Sequence, residues 1–446
     1  MGSADFKDAF FNIPVRPQDR RVQCYKAFGK FYVSDSLVFG AGPSPLVWGR
    51  LAAWLARMAQ GLFDFKELLL QLYVDDPIWA VRGDAAARRR RTVVLLLFWE
   101  AFGTPFAWAK GQLGTQIWWI GAVLTVRNGD STSDPSDPGK GRGVEVEIPE
   151  ERAAEVASVA EEFLATNVVG RKDLRRFAGR TSFFAGLIPL FRPFLSGIWA
   201  ALSEPTSQEG LAPPGAMHAG SDFCVWTKQI QHSLLWVRAF LRGCAGAPPR
   251  RSLFLAQRLA ATLPPRFTAA VDASPWGIGG ILLDGARVVA YLEEGVSPED
   301  VDVLGVVVGD HRSQSVLEGL AVLLAVRLFS SHAGWAAAQS GVATLAVKSD
   351  SKAALGAAIA MASHSEALNA VGREIAYDTA LGDYQVSLHE HLPGVANKVP
   401  DWLSRVRSPA VAGSDNPAPE ALAEAVRLDV PCRDDAFWRT RGDPPA

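Results

Sequence analysis

The chain has 446 residues, 48% hydrophobic and 21% charged, with a formal net charge of −2. This excludes a disordered or fibrous chain and leaves room for two to four domains with proper cores. No charged start leads into an apolar stretch, and no run of about 18 apolar residues is read as a membrane span. Cys24, Cys224, Cys244 and Cys432 lack metal-ligand spacing. The expectation is an intracellular protein with reduced thiols and no membrane partner. Charge is uneven along the chain: residues 1–124 are net +5, residues 125–263 net +2 and residues 264–405 net −7. A positive front half suits the phosphates of a nucleic-acid duplex.

In chain order, residues 1–124 read as strand, loop, helix, hairpin, helix, hairpin, an α+β order. Asp5 stands in a strand-like entry, Ala4-Asp5-Phe6-Lys7-Asp8-Ala9-Phe10-Phe11-Asn12-Ile13-Pro14. Phe39-Gly40-Ala41-Gly42-Pro43-Ser44-Pro45 is a glycine-bearing loop leading into a helix. Tyr73-Val74-Asp75-Asp76, between apolar residues 68–72 and 77–81, predicts a tight hairpin with two carboxylates at its tip. Adjacent like charges repel, and a hard divalent ion relieves them; a solvated Asp-Asp turn is the alternative. Arginines 88–91 either touch backbone phosphates or line a solvated helix face.

Residues 125–150 predict a linker, rich in Gly, Ser, Asp and Pro over 127–144. Pro149 opens a helix with Glu150 and Glu151 in its first turn. A second helix over 171–186 carries Arg171, Lys172, Arg175, Arg176 and Arg180. Those cations either follow nucleic-acid phosphates or make an ordinary basic amphipathic face. Residues 203–220 are a Pro/Gly-rich break, and a helix near 222–242 follows.

Farther on, apolar residues 267–271 predict a strand with Asp272 after it, turning through glycines into a strand over 281–283. Val316, Leu317, Leu320, Leu323, Leu324 and Leu328 have helical spacing, and Glu318 among them should face a site rather than open water. Residues 345–347 predict a strand closed by Ser349-Asp350-Ser351. His391, Asn397 and Asp401 follow at spacings of six and four. Taken singly, Asp272 and Asp350 could be turn or cap residues and His391 a surface histidine. From 407 onward Pro, Ala, Gly and charge dominate, predicting a disordered tail.

These phrases resemble a known family. Asp5 with Ala9-Phe10, the Gly40 loop, Tyr73 to Asp76, Gly103, Lys110 and Trp119-Ile120-Gly121 resemble motifs A to E of reverse transcriptases, in family order. The order Asp272, Glu318, Asp350, Asp401, with His391 and Asn397, resembles ribonuclease H. The phrase Asp401-Trp402-Leu403-Ser404-Arg405 resembles that of retroelement ribonucleases H, and the phrases Leu174–Pro193 and Val316–Leu328 with Phe39-Gly40 look most like the DIRS type, with the gypsy type second. The resemblance implies a partial reverse-transcriptase palm over 1–124, a helical thumb or connection over 151–263 and a ribonuclease H-like domain over 264–406. The chain opens four residues before Asp5, so the fingers strands that the family places upstream are expected to be missing and polymerisation impaired.

The implied chemistry is two-metal phosphoryl transfer with Mg²⁺ or Mn²⁺, two ions per site. In the palm, Asp5, Asp75 and Asp76 would hold the ions, and Lys110 would donate a proton to the leaving pyrophosphate. Asp8 and Gly40 would shape the dNTP pocket, and Phe10 would lie under the sugar; plain core packing is its alternative. In the second domain Asp272, Glu318, Asp350 and Asp401 would hold ions and His391 would assist proton transfer. Template–primer and RNA–DNA hybrid would be the partners, met by Arg171, Lys172, Arg175, Arg176 and Asn397. A nucleic-acid-binding relic of a retrotransposon without catalysis is the alternative function.

Overall fold

The computed structural model describes residues 1–127, 143–203, 224–243, 250–254, 267–332, 345–381, 386–411 and 417–445. It forms two compact units, Met1–Arg127 and Asn128–Ala446, each mixing helices and strands.

In the first unit β1 (Gly2–Ser3) is followed by the hairpin β2 (Cys24–Ala27) and β3 (Lys30–Val33), then helix α1 (Ser44–Gln60). The hairpin β4 (Leu68–Tyr73) and β5 (Asp76–Val81) comes next, then α2 (Ala85–Ala101), β6 (Gln112–Leu113) and the hairpin β7 (Gln116–Trp119) and β8 (Ala122–Arg127). The first strand inserts between β5 and β6, antiparallel to both, giving the order β4-β5-β1-β6. That insertion carries Asp5 to the tip of the β4–β5 hairpin. Helix α1 buries Trp48, Ala52, Leu55 and Ala59, one helical stripe, towards the core. Phe6 anchors that core, its ring 5.8 Å from Trp48, 5.5 Å from Trp99 and 5.2 Å from Phe106. The start of α2 is fixed by Asp84, whose carboxylate accepts the Ala87 N–H at 2.8 Å.

The second unit begins with β9 (Gly143–Glu147), antiparallel to the later β12 (Arg250–Phe254). A linker over 125–150 was expected; residues 143–147 instead form a strand, and residues 128–142 lie outside the described ones. Helices α3 (Glu150–Leu164), α4 (Arg171–Leu187), α5 (Ser196–Ser203) and α6 (Thr227–Arg242) pack around Phe191, Phe194, Trp236 and Phe240, with the strand pair β10 (Val168–Gly170) and β11 (Cys224–Trp226) beside them. Most of the predicted break over 203–220 lies outside the described residues.

Then come β13 (Phe267–Ser274), β14 (Gly277–Asp284), β15 (Arg287–Gly295), α7 (Pro298–Leu304), α8 (Gln314–Ser330), β16 (Leu345–Ser349), α9 (Lys352–Ala360), α10 (Glu366–Leu381), β17 (Val386–His391), α11 (Lys398–Arg405) and β18 (Val426–Arg427). The six described strands order as β17-β16-β13-β14-β15-β18. All eight residues of β13 are buried, as befits a central strand covered on both faces. It runs past Asp272, which pairs with Gly279 on β14, rather than stopping before it. Helix α8 is buried nearly all round and packs on this sheet. The segment His311–Ser330 is long and apolar enough to cross a membrane, so one such run does exist; here it is the core helix that carries Glu318.

Helices and sheet share one body. The Tyr377 ring lies 5.2 Å from Trp236, and Arg192 donates to the Ala360 carbonyl at 3.0 Å. The expectation of a disordered tail over 407–446 is corrected. Val426 and Arg427 add a parallel strand to β15, and Phe437 and Trp438 are buried in the sheet's core. Trp236 also donates its indole N–H to the Gly442 carbonyl at 3.0 Å. Two aromatics in a polar segment help to dock it where an apolar surface awaits them.

Candidate active sites

The first acidic cluster is assembled by backbone. Phe6 donates its N–H to the Asp75 carbonyl at 3.0 Å, and Ala4 donates to Pro77 at 3.1 Å, so Asp5 meets the hairpin tip. Val74 has φ 53°, left-handed for a β-branched residue, a conformation worth about 1–3 kcal/mol of strain. The buried Trp48 indole donates to its carbonyl at 2.8 Å and holds the turn. Trp119 donates to the Asp76 carbonyl at 3.0 Å, tying the β7–β8 hairpin to the same place.

Burial and the neighbouring carboxylates push Asp76 up to about 6; burial, with Asp5 adding, also raises Asp75. Lys110 Nζ donates to Asp5 Oδ2 at 2.5 Å, and its hydrogen bond and charge pairing with Asp5 raise its pKa. Lys110 therefore neutralises an acid of the cluster here. Phe10 is buried, edge-on to Phe39 at 4.9 Å, and so is a core residue in this structure. Asp8 is exposed with φ 55° before the short helical turn Ala9–Asn12. Gly40 has φ +85°, which L side chains rarely adopt, and opens the approach to α1.

The second cluster is tighter. Asp272 on β13, Glu318 on α8 and Asp350 just beyond β16 each offer an oxygen within 4.8 Å of the others. Among the described residues this is the group of three that meets so closely; Asp5, Asp75 and Asp76 do not. Burial raises Asp272 to about 6, with Asp350 and Asp401 adding, and raises Glu318 to about 7, with Asp272 and Asp350 adding. Asp350 Oδ1 is buried without a hydrogen-bond partner. Hard oxygen donors, mutual repulsion and an orphaned lone pair together fit a divalent cation.

Asp401 lies on α11, turned towards Arg405 at 2.7 Å and outside the close group, though its charge reaches Asp272. His391 is exposed at the end of β17, in register with Ser349, the residue before Asp350. Asn397 does not offer itself to nucleic acid: it is 1% exposed, and its amide donates to the Val271 carbonyl at 2.9 Å. It latches the loop before α11 to the strand bearing Asp272. On α4, Arg176 pairs with Asp173 at 3.1 Å, Arg180 with Glu155 at 2.7 Å, and Arg171 donates to the Leu202 carbonyl. Lys172 and Arg175 are exposed.

Sequence reasoning missed three donors around the second cluster. Ser404 Oγ donates to Asp272 Oδ2 at 2.6 Å, Ser349 Oγ to Glu318 Oε2 at 3.1 Å and Gln314 Nε2 to Glu318 Oε1 at 3.1 Å. Gln314 was detectable, standing four residues before Glu318 on one helix face.

No protein-family profile matches the chain, and no curated relative is found. Solved structures do match. One is the foamy viral protease-reverse transcriptase in complex with RNA/DNA hybrid, with 13% identity and a TM-score of 0.41 over 89% of this chain and 44% of that one. A second is the foamy viral protease-reverse transcriptase dRH in complex with ds DNA, with 15% identity, a TM-score of 0.40 and coverages of 88% and 56%. A third, the foamy viral protease-reverse transcriptase with dsDNA, has 13% identity, a TM-score of 0.40 and coverages of 88% and 67%. This chain thus spans about half the length of the first two.

Proposed function

We propose that the second unit is a ribonuclease H-type nuclease that cleaves the RNA strand of an RNA–DNA hybrid. The observation that carries this is the triad of buried Asp272 and Glu318 with half-buried Asp350, each offering an oxygen within 4.8 Å of the others, together with an Asp350 Oδ1 that has no hydrogen-bond partner. Asp401, whose charge already adds to the raised value of Asp272, would be the fourth acid. Asp272, Glu318, Asp350 and Asp401 would hold two divalent ions, whose chemistry would be to activate a water and to neutralise charge on the leaving oxygen. The chain's own part is to fix the carboxylates from two strands and two helices and to exclude water around them. His391, exposed at the end of β17, would assist proton transfer or product release. Lys172 and Arg175 would meet the hybrid's phosphates.

The first unit is proposed as the palm of an RNA-directed DNA polymerase. Asp5, Asp75 and Asp76 would bind two ions and a dNTP triphosphate once Lys110 releases Asp5. Lys110 would then be free to donate a proton to the leaving pyrophosphate.

The test is cleavage of a labelled hybrid by the whole chain with Mg²⁺ or Mn²⁺, alongside Asp350→Asn and His391→Ala. Asp350→Asn should abolish cleavage, and His391→Ala should slow turnover while leaving metal binding intact. Equal cleavage by wild type and Asp350→Asn, or no cleavage by the folded chain, would overturn the reading.

A further inference from the structure

We infer that Ser404 is a positioning residue of the metal centre, fixing one oxygen of Asp272 so that the other faces a cation; this rests on the ribonuclease H-type reading above. Ser404 is fully buried, and its hydroxyl lies 2.6 Å from Asp272 Oδ2 and 2.9 Å from the Asp401 carbonyl. A serine has one proton to give, and an ionised carboxylate is the stronger acceptor, so the bond goes to Asp272. The carbonyl contact is the ordinary consequence of a helical serine lying three residues on.

Reaching Asp272 requires α11 to lie against the sheet, and two glycines allow it. Gly279 is the register partner of Asp272. A Cβ at Gly279 would stand 2.4 Å from the Pro400 carbonyl and 2.6 Å from Leu403 Cβ. One at Gly277 would stand 3.0 Å from the Ser404 carbonyl. Ser274 Oγ then donates to that same carbonyl at 2.6 Å, pinning the backbone that carries the hydroxyl. Strand, helix and carboxylate are thus locked at one point.

The same device recurs on the neighbouring acid. The buried Ser349 hydroxyl donates to Glu318 Oε2. Outer donors of this kind orient metal ligands, and their loss typically weakens metal binding about 10- to 100-fold.

The experiment is calorimetric titration of the whole chain with Mn²⁺, without substrate, comparing wild type with Ser404→Ala, Ser349→Ala, Asp350→Asn and Ser313→Ala. Ser313 is the control: it is buried in the same unit, and its hydroxyl accepts from the Val307 N–H at 2.9 Å and touches no carboxylate. Ser404→Ala should raise the Mn²⁺ dissociation constant about tenfold or more, Ser313→Ala less than twofold. Ser349→Ala should act like Ser404→Ala and serves if that variant does not fold. Unchanged affinity in both serine variants, or equal weakening by Ser313→Ala, would overturn the inference. Wild type that binds no Mn²⁺, or binds no better than Asp350→Asn, would instead overturn the metal-site reading beneath it.

Discussion

The indole of Trp48 reaches from helix α1 to the carbonyl of Val74, 26 residues away, at 2.8 Å. This bond and the hairpin's own pairing hold Val74 in a backbone conformation that a β-branched residue avoids. The strain is what turns the chain sharply enough to present Asp75 beside Asp5.

Trp48→Phe keeps most of the buried ring but removes the donor. It should destabilise the first unit by roughly 0.5–1.5 kcal/mol, the usual worth of one hydrogen bond. Urea denaturation of both proteins checks this. Trp48→Ala, by contrast, opens a cavity and should cost about 3–5 kcal/mol. Identical midpoints for wild type and Trp48→Phe would show that the turn holds itself.

The second cluster predicts a pH dependence. Asp272 and Glu318 have ordinary values of 3.8 and 4.5 and stand at about 6 and about 7 in the fold, raised first by burial. A raised folded value means stabilisation that is full below the ordinary value and lost as pH rises through the folded value. Without metal, the thermal midpoint should therefore fall as pH rises from about 4 to about 7 and level off above. The fall should be shallower in the double variant Asp272→Asn with Glu318→Gln. Added Mn²⁺ binds the ionised form, so it should raise the midpoint more at pH 8 than at pH 5.5 and should release protons on binding. Thermal melts across that range, with and without Mn²⁺, decide it. Parallel curves for wild type and the double variant would refute the assignment.

A third prediction concerns the docked tail. Arg327 donates to Asp378 at 2.7 Å, to Glu374 at 2.6 Å and to the Phe437 carbonyl at 2.6 Å, with its guanidinium 4.5 Å from the Phe437 ring. The Glu374 and Asp378 side chains are fully buried. Arg327→Met leaves buried negative charge short of a partner, which typically costs about 3–5 kcal/mol. Urea denaturation should show that loss, and limited proteolysis should cut residues 417–445 faster. Unchanged stability and cleavage would mean the tail is held by Trp438 and its own strand alone.

The acids themselves were legible in the sequence because their signal is local. A carboxylate at the end of an apolar run, or alone in an apolar helix, stands out within a few residues. Asp272, Glu318, Asp350 and the Asp75-Asp76 pair all have that form. The helix over 314–330 was legible for the same reason, since its apolar spacing repeats within the segment, and the helix opening at Glu150 through Pro149 and the acids of its first turn. What only the tertiary structure decided is long-range. Ser404 meets Asp272 across 132 residues, Lys110 meets Asp5 across 105, and Arg327 meets Phe437 across 110. A hydroxyl, an ammonium or an aromatic ring acquires such a partner only when strands and helices far apart in the chain pack together. The tail at 417–445 shows the same limit: its composition is that of a loose segment, and the burial of Phe437 and Trp438 depends on a surface built elsewhere in the chain.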